Sequence, residues 1–205
     1  MPSVPTNRKY IFGSLAAATL ALDLWSKAAI FEEYGVRNGG SWMISNDFVR
    51  FRFFTGLNQG ALWGMGQGFA WIFAILSVVA FAGIIYWLFA RKAAVSLWLT
   101  VALGAVAGGT LGNLYDRLGL HGITLAEGEA PIKAVRDFFH FQFMGTVEQP
   151  GLDWAIFNVA DICLVTGAIM LILQSLFAPE PASESESADA AANDTVAAPT
   201  GTSAS

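Results

Sequence analysis

Apolar residues gather into four long stretches along the chain, and polar segments separate them. A hydrocarbon core about 30 Å thick is crossed by roughly 20 helical residues, and each stretch is long enough for that. The predicted spans cover residues 11–30, 69–90, 93–112 and 155–177. The pattern therefore predicts an all-α membrane protein with four transmembrane helices.

The stretches divide the chain into a membrane domain and two termini. Residues 1–10 are expected to form a short cytoplasmic segment, residues 11–177 the four-helix domain and residues 178–205 an acidic tail. The tail is rich in Ala, Ser and Glu and contains no aromatic residue. Such a sequence cannot bury enough apolar surface to offset the entropy of ordering, so we expect the tail to be disordered.

Two basic residues, Arg8 and Lys9, precede the first span and bear on its nature and direction. They would suit the start of a cleaved signal peptide, but Asp23 and Lys27 inside the span are unusual for one. Under the positive-inside rule they place the amino terminus, and with four spans both termini, in the cytoplasm. Basic residues in the two long loops favour the opposite direction, so this orientation rests on the first span.

The segments 31–68 and 113–154 are too long for simple turns. Each contains a run in which aromatic or aliphatic residues alternate with polar ones: 49–53 in the first segment and 139–143 in the second. A period of two is typical of strands with one apolar face. We therefore expect a small extracytoplasmic sheet that lies on the membrane surface.

Polar side chains collect at the ends of the spans. The clusters are Asp23 with Lys27, the run 58–64, Asn113 with Asp116 and Arg117, and Asn158 with Asp161. Because consecutive spans run antiparallel, all four clusters are expected on one side of the membrane. Ionisable groups in a span are costly, so each is a functional hypothesis. With a span that starts at residue 155, Asp161 would lie roughly 9 Å inside its helix.

Structural roles compete with functional ones at these positions. Asp23 and Lys27 have the spacing of an ordinary ion pair on a helix. Asp116 next to Arg117 would also suit a structural salt bridge, and Asn158 could simply join helices by hydrogen bonds. Small residues at nearly four-residue spacing most often form a close helix-packing face, and these are Gly104, Gly108, Gly109 and Gly112.

Composition agrees with a membrane protein and excludes some functions. Of the 205 residues, 55% are hydrophobic and 13% charged, whereas soluble domains have roughly 25% charged residues. The net charge of −5 comes from the tail, and no basic patch suggests a nucleic-acid partner. Cys163 is the single cysteine, so no intrachain disulfide or cysteine cluster can form. We expect neither a metal nor a cofactor.

Carboxylates are the groups that remain for chemistry, because no span offers a Ser–His or Cys–His arrangement or an H-E-x-x-H motif. Two carboxylates held close together do not both ionise easily, so one keeps a proton and the pair can share acid and base roles. The best pair is Asp137 with Asp161, and Asp116 is a third candidate. Their proximity is an inference from the order of the spans.

Five short motifs, in order along residues 23–161, resemble those of the lipoprotein signal peptidases, or signal peptidase II. They are Asp-Leu-Trp-Ser-Lys at 23–27, Asn-Gln-Gly-Ala-Leu-Trp-Gly at 58–64, Gly-Gly-Thr-Leu-Gly-Asn-Leu-Tyr-Asp-Arg at 108–117, Val-Arg-Asp-Phe at 135–138 and Phe-Asn-Val-Ala-Asp at 157–161. Each motif alone is weak, but the ordered set is specific. The resemblance covers most of the predicted membrane domain.

The resemblance implies a membrane aspartic endopeptidase of the bacterial cytoplasmic (inner) membrane with its site on the extracytoplasmic side. It would remove the signal peptide of a diacylglyceryl-modified prolipoprotein, just before the lipidated cysteine. The catalytic aspartates would be Asp137 and Asp161. The residues expected to bind substrate or support the site are Asp23, Lys27, Asn58, Gly60, Asn113, Asp116, Arg117 and Asn158. Partners would be the prolipoprotein and membrane lipid, and the protein is expected to be a monomer.

The chain also departs from the family pattern. Leu62 and Trp63 stand where a small residue and Phe are usual, and the connection from Arg117 to Asp137 is longer than is typical. We expect the longer connection to pass over the site. Phe138 and Phe139 are expected to line the region that takes the acyl chains.

Two other functions remain as alternatives. A proton- or cation-coupled transporter would also use intramembrane carboxylates, but it predicts polar groups that continue across the membrane. The inner halves of the spans are almost purely apolar, which counts against a pathway. A non-catalytic factor that binds lipoproteins would capture substrate without needing either aspartate.

Overall fold

The structure is a computed structural model that describes residues 3–60, 65–145 and 151–177. The helices long and apolar enough to cross a membrane are α1 (Asn7–Tyr34), α2 (Ala70–Ile85, continued by a π-helical turn at Tyr86–Ala90), α3 (Leu97–Arg117) and α4 (Val159–Phe177). The strands are β1 (Ile44–Ser45), β2 (Val49–Asn58), β3 (Val135–Phe143) and β4 (Leu152–Asp153). The predicted fold class is confirmed, whereas the tail prediction lies outside the described residues.

The helix bounds differ from the predicted spans where local structure intervenes. A 3-10 turn at Ala93–Val95 precedes α3, and the Ser96 hydroxyl caps the helix by accepting from the Leu99 N–H at 3.2 Å. The fourth helix begins only at Val159, because Phe157 is still extended and pairs with β3. Asp161 therefore lies in the first turn of α4, and the predicted depth of 9 Å is wrong.

Helix α3 lies at the centre of the bundle. Within the apolar 18-residue stretch of each helix, 56% of the residues of α3 are buried, compared with 11% to 17% in the other helices. Its glycines make this possible, because a Cβ at Gly109 would lie 2.6 Å from the Ala160 carbonyl oxygen of α4. A Cβ at Gly112 would overlap the Asp23 carboxylate of α1. The predicted close packing face is confirmed, and it brings the polar ends of three helices together.

The four strands form an antiparallel sheet in the order β1-β2-β3-β4. Phe51 lies opposite Phe141, and their rings stack with centroids 4.7 Å apart. A bulge between Phe53 and Gly56 shifts the register of β2. The two predicted runs of alternating residues are thus confirmed as the long central strands. The bulge sets Gly56, which has no side chain, opposite Asp137.

The sheet is attached to the bundle through the segment that enters α4. The backbone N–H groups of Phe138 and Phe139 both donate to the Phe157 carbonyl oxygen, at 3.0 and 2.8 Å. The Phe157 N–H donates in return to the Phe139 carbonyl oxygen at 3.2 Å. The start of β3 is therefore held against the start of α4.

Candidate active site

The first turn of α4 is closed by a reciprocal pair of hydrogen bonds. The Asn158 side chain accepts from the Asp161 N–H, and the Asp161 carboxylate accepts from the Asn158 N–H, both at 3.1 Å. This is the arrangement of a capping box, in which two N–H groups left free at a helix start find partners. It fixes the Asp161 side chain relative to the helix axis.

A second carboxylate, from α1, completes the helix start. Asp23 Oδ1 accepts from the Ala160 N–H at 2.8 Å, while Asp23 Oδ2 accepts from Lys27 Nζ at 2.7 Å. Asp23 and Lys27 are both fully buried. The expected ion pair within α1 is therefore present, and it also joins α1 to α4.

Lys27 connects this ion pair to the polar end of α3. Its Nζ lies 3.2 Å from Asp116 Oδ2 and donates to Asn113 Oδ1 at 2.9 Å. The buried ammonium is paired with two carboxylates and hydrogen-bonded to one of them and to an amide oxygen, which is the condition for burying a charge at acceptable cost. Lys27 therefore joins α1 to the polar end of α3.

Asp116 anchors the strand that carries Asp137. Its carboxylate accepts from the Arg136 backbone N–H at 3.0 Å and from Arg136 Nε and Nη2 at 3.1 and 2.9 Å. The salt bridge considered between Asp116 and Arg117 is replaced by bridges to Lys27 and Arg136. Adjacent positions on a helix point in different directions, so Arg117 is turned away from Asp116.

Asp137 lies at the buried end of β3 with two amides on its carboxylate. Asn158 Nδ2 donates to Oδ1 at 2.6 Å, and Asn58 Nδ2 donates to Oδ2 at 3.2 Å. The residue is only 4% exposed. Asn58 also accepts from the Gly60 N–H at 2.9 Å, which closes a tight turn after β2.

The two aspartates that the sequence pairs are linked through Asn158. Asn158 contacts both, and Asn113 Nδ2 donates to Asp161 Oδ1 at 2.9 Å. Burial, reinforced by the nearby negative charge of Asp161, raises the pKa of Asp137 to about 8. Asp137 therefore holds a proton at neutral pH, while the partly exposed Asp161 remains accessible from the cavity.

A cavity of about 650 Å³ opens beside the pair. Its polar end is lined by Asn58, Gly60, Asn113, Arg117, Asp137 and Asp161. The Arg117 guanidinium carbon lies 5.4 Å from the centre of the Phe73 ring, and its Nε has no hydrogen-bond partner within the described part of the chain. The Arg117 side chain thus lines the same cavity as the two carboxylates.

The other walls of the cavity were missed by the sequence analysis. They are apolar and come from the segment before α4 and from its first turns: Trp154, Ala155, Ile156, Phe157, Ile162, Leu164 and Val165. Phe138 and Phe139, expected in this place, do not line the cavity. Nor does any described residue of the long connection 118–134, which was expected to pass over the site. The aromatic pattern at 154–157 was the signal available in the sequence.

All ten predicted site residues fall in one connected region. Seven line the cavity or bond to its carboxylates directly, and the other three, Asp23, Lys27 and Asp116, form the buried group behind them. Paired carboxylates at the polar end of an apolar cavity, inside a four-helix membrane bundle, are the equipment of a membrane enzyme that uses acid–base chemistry.

Comparison with known proteins agrees with that class. Residues 15–177 match the family model of Signal peptidase (SPase) II. The lipoprotein signal peptidase of Rhodopirellula baltica is 45% identical over 173 residues, 83% of this chain and 74% of the relative. That of Geobacillus thermodenitrificans is 34% identical over 175 residues, 85% of this chain and 94% of the relative. The chain belongs to the signal peptidase II family.

Solved structures support the same fold. One bacterial membrane enzyme superimposes with a TM-score of 0.60 at 24% identity, covering 82% of this chain and 90% of its own. A second gives a TM-score of 0.60 at 25% identity, covering 80% of this chain and 92% of its own. The family match and the four apolar helices together make the protein a multi-pass membrane protease.

Proposed function

We propose that this protein is an aspartic endopeptidase that removes the signal peptide from diacylglyceryl-modified prolipoproteins, cutting just before the lipidated cysteine. One observation carries the proposal: Asn158 bonds to both Asp137 and Asp161 at the polar end of a mainly apolar cavity. The relatives named lipoprotein signal peptidases support the substrate class. The two aspartates are the proposed catalytic residues.

The proton positions suggest how the pair divides the reaction. Asp161 takes a proton from a water molecule, whose oxygen bonds to the carbonyl carbon of the scissile peptide. Asp137, protonated at neutral pH because its pKa is raised to about 8, gives its proton to the carbonyl oxygen. Asp161 then passes the proton it took to the amide nitrogen and the C–N bond breaks, while Asp137 recovers a proton from a hydroxyl of the diol as the carboxylic acid product forms.

The cavity suits a lipid-anchored peptide. The carboxylates lie at one end, where water and a peptide backbone can bind. The apolar side chains of Ile162, Leu164 and Val165 line the wall along α4. A diacylglyceryl group on the residue that immediately follows the cleaved bond would have such a wall within reach. Arg117 lines the same cavity and brings a positive charge to its polar end.

We further propose that the site faces the extracytoplasmic side and that both termini are cytoplasmic. The basic pairs Arg8–Lys9 and Arg91–Lys92 lie at the ends of α1 and α2 opposite the site. They would follow the positive-inside rule in that orientation. Reporter fusions at residue 92 and within the sheet would test this orientation. A reporter at residue 92 that is found only on the extracytoplasmic side would contradict the orientation.

The proposal is tested by reconstituting the full chain in liposomes with a diacylglyceryl-modified precursor peptide. Mass spectrometry should find a product that begins at the modified cysteine. The same peptide with Ser in place of the lipidated cysteine should be left uncut. Cleavage at another bond, or equal cleavage of the unlipidated peptide, would contradict the proposed specificity.

The transporter alternative gains no support from the comparisons, which give a peptidase family. The same liposomes decide between the two functions. Proton or cation flux that requires Asp161 and needs no lipidated peptide would favour transport. Peptide cleavage without any proton or cation flux through the protein would exclude the transporter function.

A further inference from the structure

The connection between α3 and β3, residues 118–134, is pinned to the start of β3 by one histidine side chain. His121 Nδ1 accepts from the Ile123 N–H at 3.0 Å, and Nε2 lies 3.2 Å from the Ala134 carbonyl oxygen. Because Nδ1 is an acceptor, the ring is neutral and its proton is on Nε2. The ring therefore donates to Ala134 from a loop that does not enter the cavity.

Ala134 is three residues from Asp137 and is fully buried. The next two residues are also fixed, since Val135 lies opposite Asn58 in the sheet and the Arg136 N–H donates to Asp116. His121 thus supplies the first of three successive restraints on the segment that delivers Asp137 to the cavity.

The loop is built to hold the ring in place. The Ile132 N–H donates to the Ile123 carbonyl oxygen at 2.9 Å, which closes the loop beside the histidine. At its other end the Gly119 N–H donates to the Asp116 carbonyl oxygen at 2.9 Å, and the Tyr115 hydroxyl donates to the Leu120 carbonyl oxygen. His121 is therefore carried by a framework attached to α3.

We propose that His121 is a positioning residue for the peptidase reaction: through its hydrogen bond to Ala134 it holds β3 so that Asp137 meets Asp161 and substrate. This rests on the proposed function. A misplacement of about 1 Å can cost roughly 10²-fold in rate, and the two other restraints remain, so loss of this bond lowers kcat about five- to tenfold. KM is unchanged, because His121 does not touch the cavity.

Burial of the ring favours its neutral form. Burial lowers the pKa of His121 from its ordinary 6.5; Asp116 and the hydrogen bond to Ala134 oppose the effect, and Arg136 and Lys27 add to it. Protonation would place a second N–H against the Ile123 N–H. At neutral pH His121 is therefore neutral and donates to Ala134 through Nε2.

Two conservative variants separate the histidine's bonds. In His121→Gln the amide nitrogen reaches the position of Nε2 and donates to Ala134, whereas in His121→Asn the amide oxygen replaces Nδ1 and accepts only from Ile123. We expect kcat of the Gln variant within about twofold of wild type and that of the Asn variant lowered about five- to tenfold. Equal kcat values in the two variants, at matched thermal unfolding, would overturn the proposal.

A measurement on the unaltered chain covers the case in which a variant does not fold. The chain has two histidines, so ¹⁵N-histidine spectra, with one signal assigned by a His140 variant, report the tautomer of His121. The proposal requires the proton on Nε2, and a proton on Nδ1 would overturn it. Asp137→Asn, measured in the same assay, separates the two hypotheses. Full activity of Asp137→Asn would contradict the peptidase mechanism. An inactive Asp137→Asn together with wild-type kcat in His121→Asn would contradict only the role of His121.

Discussion

Asn158 and Asp161 exchange two hydrogen bonds, side chain to backbone in each direction, at the first turn of α4. The same residue pair that starts the helix therefore orients the proposed base. Because Asn158 also donates to Asp137, one side chain sets both the helix start and the relation between the two carboxylates.

Replacement of Asn158 should separate these two contributions. Ser is a good helix cap but is too short to reach Asp137, so Asn158→Ser should lose roughly 10²-fold in kcat with little change in stability. Asn158→Ala should lose similar activity and about 1 kcal/mol of stability besides. Cleavage rates and thermal unfolding in detergent measure the two effects. Wild-type activity in the Ser variant would refute the link to Asp137.

Lys27 is expected to be essential for folding and not only for activity. Lys27→Met leaves Asp23 buried without its cation and leaves Asp116 with Arg136 alone, which should cost about 3–5 kcal/mol. The exposed Lys9 of the same helix gives the matched control, and Lys9→Met should change stability little. The added change Asp23→Asn should restore part of the loss, since its amide oxygen can still accept from Ala160. Unfolding by denaturant measures all four proteins.

Close packing of α3 predicts a sharp difference between two glycines. A Cβ at Gly112 would overlap the Asp23 carboxylate, so Gly112→Ala should cost about 1–3 kcal/mol and disturb the start of α4. Gly83 of α2 has nothing within 4 Å of its added Cβ. Gly83→Ala should therefore be neutral or stabilise by up to about 1 kcal/mol. Similar melting temperatures for the two variants would contradict the packing described.

The raised pKa of Asp137 predicts how stability depends on pH. Its pKa rises from 3.8 to about 8 on folding, so the folded state binds one more proton between those values. This contribution to stability is complete below pH 3.8 and is lost as pH rises through about 8. Asp137→Asn cannot ionise, so its melting temperature relative to wild type should increase steadily over that interval. If the difference in melting temperature between Asp137→Asn and wild type stayed constant across the interval, the pKa of Asp137 would not be raised by folding.

Much of this arrangement follows from sequence patterns. Hydropathy predicts the four helices, and the period of two at 49–53 and 139–143 predicts the central strands. The antiparallel order of spans brings Asp23, Asn113 and Asp161 to one end without further information. These features depend only on local periodicity and chain direction.

Other features depend on the path of the chain in three dimensions. Hydropathy extends the fourth span to residue 155, but pairing of Phe157 with β3 delays the helix to Val159. One charged partner of Asp116 is Arg136, which lies across a long loop, so no helix spacing in the sequence reveals the pair. The apolar cavity wall at Trp154 likewise depends on that extended approach.

The central claim is tested most directly by single Asp-to-Asn changes in the reconstituted cleavage assay. Asp137→Asn and Asp161→Asn should each abolish release of the signal peptide while the protein remains folded. Asp47→Asn, at an exposed turn position in the sheet, should cleave at the wild-type rate. Undiminished cleavage by either of the first two variants would contradict the account.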